Sequence, residues 1–259
     1  MSVDKLLNRI VTPDIETANE DAAAKDLHHY THGITSDPLI HFGVVLSALV
    51  HDVDHKGISN MQLAKEDLQM AERYKYKSIA EQNSVDIALD LLMQPELRDL
   101  RACIFSDEDE LQRFRQTVMK VVLATDIFDK ELNDLRKARW EKAFAKKNAS
   151  EMGTDDDQAD TSVKATIVIE HLIQASDVSH TMQHWHIYRK WNERLFHELT
   201  KAYQSGRMGK DPAEFWYHGE LGFFDNYIIP LTRKLKDCGV FGVSSDEYLS
   251  YALANREGM

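Results

Sequence analysis

Hydrophobic positions recur along most of the chain at helical spacing, and no stretch shows the strict alternation of a half-buried strand. Val3, Leu6, Leu7 and Ile10 open the chain on one helical face. The run from Leu39 to Val50 is apolar on every side and lacks proline, which predicts a buried helix rather than a surface one. Asn60 to Arg73 reads as amphipathic. A helix over Ser78 to Met93 can turn Ile79, Val85, Ile87, Ala88, Leu91 and Leu92 to a core and ends at Pro95. Leu97 to Phe105 and Glu108 to Ala124 continue the pattern, the second leading to Thr125-Asp126-Ile127-Phe128. Val163 to Ala175 is a second strongly apolar helix. His184 to Tyr203 carries Trp185, Tyr188, Trp191, Leu195 and Phe196, an aromatic stripe read as core packing because such rings bury so much area. Phe215 to Leu235 predicts one last helix, or two, with Pro230 starting a new turn. The expected fold is all-α, a compact multi-helix domain.

Polar breaks punctuate this pattern. Residues 12 to 26 are polar and acidic around Thr12-Pro13-Asp14 and predict a loop with a short helix. His28 and His32 have the i,i+4 spacing of metal ligands, but Gly33 and Asp37-Pro38 mark loop chemistry, so residues 28 to 33 read as a solvated loop. Residues 145 to 161 hold almost no large apolar side chains and an acidic triplet, Asp155 to Asp157. They predict a mobile loop inside one domain rather than a linker between two.

Composition narrows the function classes. At 259 residues the chain suits one large domain or two small ones, and its net charge of −12 argues against a nucleic-acid or anionic-membrane surface. A small anionic substrate stays compatible, because bound divalent cations reverse the local field. No run of about 18 apolar residues predicts a transmembrane helix. The N-terminus lacks a basic-then-apolar signal. Cys103 and Cys238 are the sole cysteines, which predicts free thiols in a reducing compartment and a setting in the cytoplasm or on the cytosolic face of a membrane-bound parent protein.

The chemistry gathers where the apolar helices end. Leu39 to Val50 delivers His51-Asp52-Val53-Asp54-His55, with Gly57 just beyond. On a continued helix His51 and His55 share a face and Asp52 points about 100° away. A histidine can then hold one metal ion while the adjacent carboxylate reaches a second. The alternative is a structural ion-pair cluster, since buried charges are normally paired or metal-bound. The second apolar helix delivers Asp177 in Ser176-Asp177-Val178-Ser179-His180. His51, Asp52 and Asp177 form a nitrogen and carboxylate set that suits Zn²⁺, and the carboxylates also accept Mg²⁺ or Mn²⁺. A carboxylate bridging two ions can aim a hydroxide at phosphorus. No P-loop, Gly-x-Ser-x-Gly elbow or Cys-x-x-Cys pair is present.

The His51-Asp52-Val53-Asp54-His55 element, with Asn60, Glu81 and Asp177 after it, resembles the HD-type class I cyclic-nucleotide phosphodiesterase catalytic domain. Ala124-Thr125-Asp126, Tyr188-Arg189-Lys190-Trp191 and Glu220-Leu221-Gly222-Phe223-Phe224-Asp225 fit the same family, and the resemblance covers nearly the whole chain. It implies an all-α domain with a metal site between helix ends. It also implies hydrolysis of cAMP, cGMP or both to 5′-monophosphates in signal transduction. His51 and Asp177 would bind the tighter ion, Zn²⁺, and Asp52 would bridge to Mg²⁺ or Mn²⁺. His55 and Glu81 would orient waters of the second ion, and Asp126 would support them from behind. Phe223 would stack on the purine, and Glu220 and Asp177 would also meet the substrate. No nucleic-acid partner and no membrane insertion are expected, and regulatory domains in a longer parent chain are compatible.

Departures from the family pattern shape the expectations further. The upstream Tyr-His-Asn-x-x-His element, which supplies the general acid and a metal histidine, does not occur in the chain, so the domain at 1–259 is expected to lack its N-terminal part. Asn83 and Ser84 stand where paired histidines commonly do, His180 replaces an Asn, and Glu220 replaces the purine-reading Gln. Glu220 either meets the purine edge or turns to a neighbouring lysine or water. Two rival readings are a non-catalytic nucleotide- or partner-binding remnant and another HD-type nucleotide phosphohydrolase. The Gly222-Phe223 motif argues against the second.

Overall fold

The computed structural model describes residues 2–8, 10, 31–144, 157–241 and 244–259. Short polar residues start several of its helices. After α1 (Ser2–Leu7), Asp37 accepts from the backbone N–H groups of Leu39 and Ile40, and Pro38 supplies the first helical position of α2 (Pro38–Val50). Ser59 caps α3 (Asn60–Glu66). Asp67 leaves helical geometry, at φ −133°, and caps α4 (Leu68–Arg73), so the stretch read as one amphipathic helix is two. Then come α5 (Ile79–Leu92), a 3₁₀ turn at Pro95–Leu97, α6 (Arg98–Ile104) and α7 (Glu108–Leu123), which Asp107 caps. They are followed by α8 (Lys130–Phe144), α9 (Asp157–Asp177), a 3₁₀ turn at Ser179–Met182 and α10 (Trp185–Gln204). The chain finishes with α11 (Trp216–Phe223), a π-helical turn at Phe224–Ile228, α12 (Ile229–Asp237) and α13 (Ser244–Glu257). No strand occurs among the described residues.

Helix α9 is the axis. Its Ile167, Leu172 and Ile173 are fully buried, and it touches α1, α2, α7, α8 and α12. Phe224, Ile228, Leu235 and Phe241 close the same core from the C-terminal side. Two smaller cores flank it. One joins Leu63, Ala71, Tyr74 and Ile79; the other joins Val85, Phe114, Val118 and Val122. Gly43 lets α2 lie close on α7, because a Cβ there would meet Thr117 Cγ2 at 3.2 Å. The fold thereby fixes the ends of α2 and α9, which bear His51 and Asp177.

Several expectations need correction. Helix α2 buries Gly43, Val44 and Ser47 and packs on α1, α5, α7 and α9, but it is not buried all round, because Leu49 stays 78% exposed. On α10 Tyr188 is buried, whereas Trp185, Trp191 and Leu195 are exposed, so most of the aromatic stripe is surface. Helix α9 begins at Asp157 and takes in 157–161, which had read as loop, while 145–156 lie outside the described residues. Residues 12–26 and His28 also lie outside them. Thr31 and Ile34 are buried and His32 packs edge-on to Phe144, so 31–34 is not a solvated loop. Helices α8 and α13 were not anticipated. Among the described residues no helix is long and apolar enough to cross a membrane. Cys103 and Cys238 are both free thiols.

Candidate active site

Helix α2 stops one residue before its ligand cluster. His51 is the C-cap and donates its backbone N–H to Ser47 O at 2.9 Å. Asp54 then takes a left-handed turn at φ +63°. The helical face expected to carry both His51 and His55 therefore does not form, and His55 leaves it as an exposed residue whose Nδ1 accepts from Gly57 N–H at 3.2 Å.

His51 Nδ1–H donates to Ala48 O at 3.0 Å, which assigns the other ring nitrogen to the site. That Nε2 is buried and makes no hydrogen bond, yet Asp52 Oδ2 lies 3.3 Å away and Asp177 Oδ1 3.4 Å away. Burial pulls the His51 pKa down, but the contact with Asp177 and the charges of Asp52 and Asp177 outweigh it and raise it to about 9. The surroundings favour positive charge at this point, as a proton or a metal ion. Donors around a tetrahedral Zn²⁺ with bonds of about 2.0 Å lie about 3.3 Å apart, so the spacing and donor types fit. Among the described residues no group of three or more His, Cys, Asp or Glu side chains is arranged to hold an ion as it stands. The two carboxylates are side chains 66% and 38% exposed, and the expected closed centre between helix ends is thus not shown.

Glu81 lies in the first turn of α5. Asn60 Nδ2 donates to Glu81 Oε2 at 2.8 Å and faces Asp126 Oδ2 at 3.4 Å, while Asn60 Oδ1 accepts Ala80 N–H at 2.8 Å. Asp126 also accepts the Ser78 hydroxyl at 2.7 Å and the N–H groups of Phe128 and Asp129. Burial first, and then the charge of Asp126, raise the Glu81 pKa against the pull of Asn60. The residues standing where paired histidines were expected grip the His51–His55 turn instead. Ser84 Oγ lies 2.8 Å from Val53 O, and Asn83 Nδ2 reaches Asp54 Oδ2 at 3.5 Å.

At the other end of the chain, Glu220 turns to a tyrosine and an asparagine rather than to a lysine. The Tyr188 hydroxyl and Asn192 Nδ2 both donate to its Oε2 at 2.6 Å, and Trp216 Nε1–H occupies Asn192 Oδ1 at 3.1 Å. Burial raises the Glu220 pKa and these two donors lower it. Phe223 stacks on Tyr227, 5.3 Å between centroids at 21°. The Tyr227 hydroxyl is buried without a hydrogen bond; burial, and then the charge of Asp177, push its pKa up.

The family model for 3′5′-cyclic nucleotide phosphodiesterase matches residues 27–239. The chain belongs to this family. It is 30% identical over 203 residues to probable 3′,5′-cyclic-AMP phosphodiesterase pde-4 of Caenorhabditis elegans, covering 74% of this chain and 29% of the relative. It is 27% identical over 212 residues to the 3′,5′-cyclic-AMP phosphodiesterase isoform F of Drosophila melanogaster, covering 77% and 30%. The chain thus spans under a third of these curated relatives. Every site residue expected from the sequence lies inside the phosphodiesterase match. Sequence reasoning missed the partners: Ser78, Asn192, Trp216 and Tyr227. Asn60 and Tyr188 were visible as motif residues, but nothing in their spacing showed which carboxylate each one holds.

Proposed function

We propose that this site hydrolyses 3′,5′-cyclic nucleotides to 5′-monophosphates with two divalent ions. The observation that carries the reading is His51 Nε2, buried without a hydrogen bond and flanked by Asp52 and Asp177 oxygens at 3.3 and 3.4 Å. His51 and Asp177 would hold Zn²⁺, and Asp52 would reach both it and Mg²⁺ or Mn²⁺. When bound, such ions supply a hydroxide at neutral pH and neutralise phosphate charge. His51 serves through the ring orientation that Ala48 O fixes. His55 and Glu81 would orient water on the second ion, and Asp126 would steady Glu81 by way of Asn60. Phe223, backed by Tyr227, offers a flat face to the purine.

Glu220 reads the purine edge in this scheme. With Oε2 held by two donors, its remaining capacity is to accept hydrogen bonds. Guanine presents N1–H and its 2-amino group side by side, whereas adenine sets an N1 acceptor beside its amino group. The reading therefore tilts toward cGMP, against the cyclic-AMP names of the relatives. Protonation of the departing O3′ is assigned to none of these residues.

The decisive experiment is metal analysis of purified protein with cAMP and cGMP hydrolysis assayed alongside. Asp52→Ala should lose more metal than His55→Ala, because Asp52 alone is assigned to both ions. Equal metal in wild type and Asp52→Ala would reject the two-ion site. Metal-independent nucleotide binding without turnover would favour a binding module.

A further inference from the structure

Glu81 owes its position to residues outside the ligand set. The Asn60 amide cannot flip. Its carbonyl is taken by Ala80 N–H at 2.8 Å, so its NH₂ group must face Glu81 Oε2, at 2.8 Å, and Asp126 Oδ2, at 3.4 Å. This neutral donor stands between two carboxylates that would otherwise repel. Asp126 is itself anchored by two backbone N–H groups, so it is the fixed end of the Asn60 bridge to Glu81.

Ser78 completes the support at a cost. It precedes α5 in the left-handed region, φ +37° and ψ +54°, where a non-glycine residue stores roughly 1–3 kcal/mol. It is 4% exposed. A serine before a helix normally bonds the N–H groups of the first turn, but Ser78 makes no such capping bond. Its hydroxyl goes instead to Asp126, 48 residues further along the chain. The strain and the forgone cap coincide with one bond, and that bond holds the anchor of the Glu81 network.

We infer that Asn60 and Ser78 are positioning residues for Glu81, fixing the rotamer in which it serves the second divalent ion. This rests on the two-ion reading above. Partners of this kind typically contribute 10–100-fold to metal affinity.

The test uses Mn²⁺ alone, its free concentration followed by electron paramagnetic resonance, together with thermal unfolding of the same preparations. Wild type should bind two Mn²⁺. Asn60→Ala and Ser78→Ala should weaken the second by about 10–100-fold and leave the first unchanged. Ser78→Gly separates position from stability. Glycine relieves the left-handed strain, so its Tm should exceed that of Ser78→Ala, yet its second Mn²⁺ should be as weak. Mn²⁺ affinity that instead follows Tm through the Ser78 pair would make the network merely structural and overturn the inference. So would wild-type binding of both ions in all three variants. Should Asn60→Ala fail to fold, the Ser78 pair decides alone. A wild-type chain that binds no Mn²⁺ would reject the two-ion reading itself, and the inference with it.

Discussion

Glu220→Gln should shift purine preference toward adenine by about 10–100-fold. Tyr188 and Asn192 both donate to Glu220 Oε2 at 2.6 Å, and Asn192 cannot turn its carbonyl there because Trp216 Nε1–H holds it. A glutamine in this clamp must give its carbonyl to the same two donors, since its NH₂ against the Asn192 NH₂ would oppose donor to donor. The amide NH₂ then lies where the second carboxylate oxygen lay. The edge offered to the purine changes from acceptor to donor. It loses guanine N1–H and gains adenine N1. A hydrogen bond to a charged group contributes roughly 1.5–3 kcal/mol, and each 1.4 kcal/mol is tenfold. The assay is the ratio of kcat/KM for cGMP and cAMP at one fixed Mn²⁺ concentration, or the ratio of their Kd values where turnover is slow. A ratio moving less than twofold, or moving toward cGMP, would refute the reasoning.

Three further outcomes follow from packing and charge. Gly43→Leu must force α2 off α7, where even a Cβ meets Thr117 Cγ2 at 3.2 Å, and should cost about 1–3 kcal/mol in urea unfolding. Tyr227→Phe removes a buried hydroxyl that has no hydrogen bond, so it should stabilise the chain, by about 1 kcal/mol on the scale of an unsatisfied polar group; a lower urea midpoint would contradict this. His171 is held neutral, its Nδ1–H given to Ile167 O at 2.7 Å and its Nε2 3.2 Å from Lys234 Nζ, and burial followed by the Lys234 charge lowers its pKa from 6.5 to about 3. The unfolded chain therefore binds the extra proton first as pH falls, and stability is lost below 6.5 until the folded pKa is reached. Between pH 7 and 5 the loss from this group is about 2 kcal/mol, and His171→Gln should lose correspondingly less over that interval in urea melts.

The helical fold was legible wherever apolar spacing and a capping residue agreed, as at Asp37-Pro38, Ser59 and Asp107. Helix α8 escaped because charge interrupts its buried face. Arg136 is 7% exposed and spends its guanidinium on Leu123 O at 2.6 Å and Asp126 O at 3.3 Å, so a core position reads as a surface one. Helix α2 failed in the opposite sense. Apolar residues on all sides say what can be buried, but Leu49 stays exposed because burial also needs a partner, and partners are set by tertiary contacts.

At the site the same division holds between short-range and long-range information. His51 and Asp52 are chain neighbours at a helix end, so their shared chemistry could be read from spacing, and Asp177 repeats the device at the end of α9. The left-handed Asp54 could not be read, because nothing in its residue type requires φ +63°, and that single turn separates His55 from the face of His51. The carboxylates' partners were hidden for a related reason. Asn60 reaches Glu81 and Asp126 across 21 and 66 positions, and Asn192 reaches Glu220 across 28. An amide can donate or accept, so its residue type does not say which it does. Backbone and indole groups decide: Ala80 N–H and Trp216 Nε1–H each take the amide oxygen and turn the NH₂ toward a carboxylate. The same rule orients Glu81 at the second-ion side and Glu220 at the purine side. Changing either amide should therefore alter its own carboxylate's role and leave the other's intact.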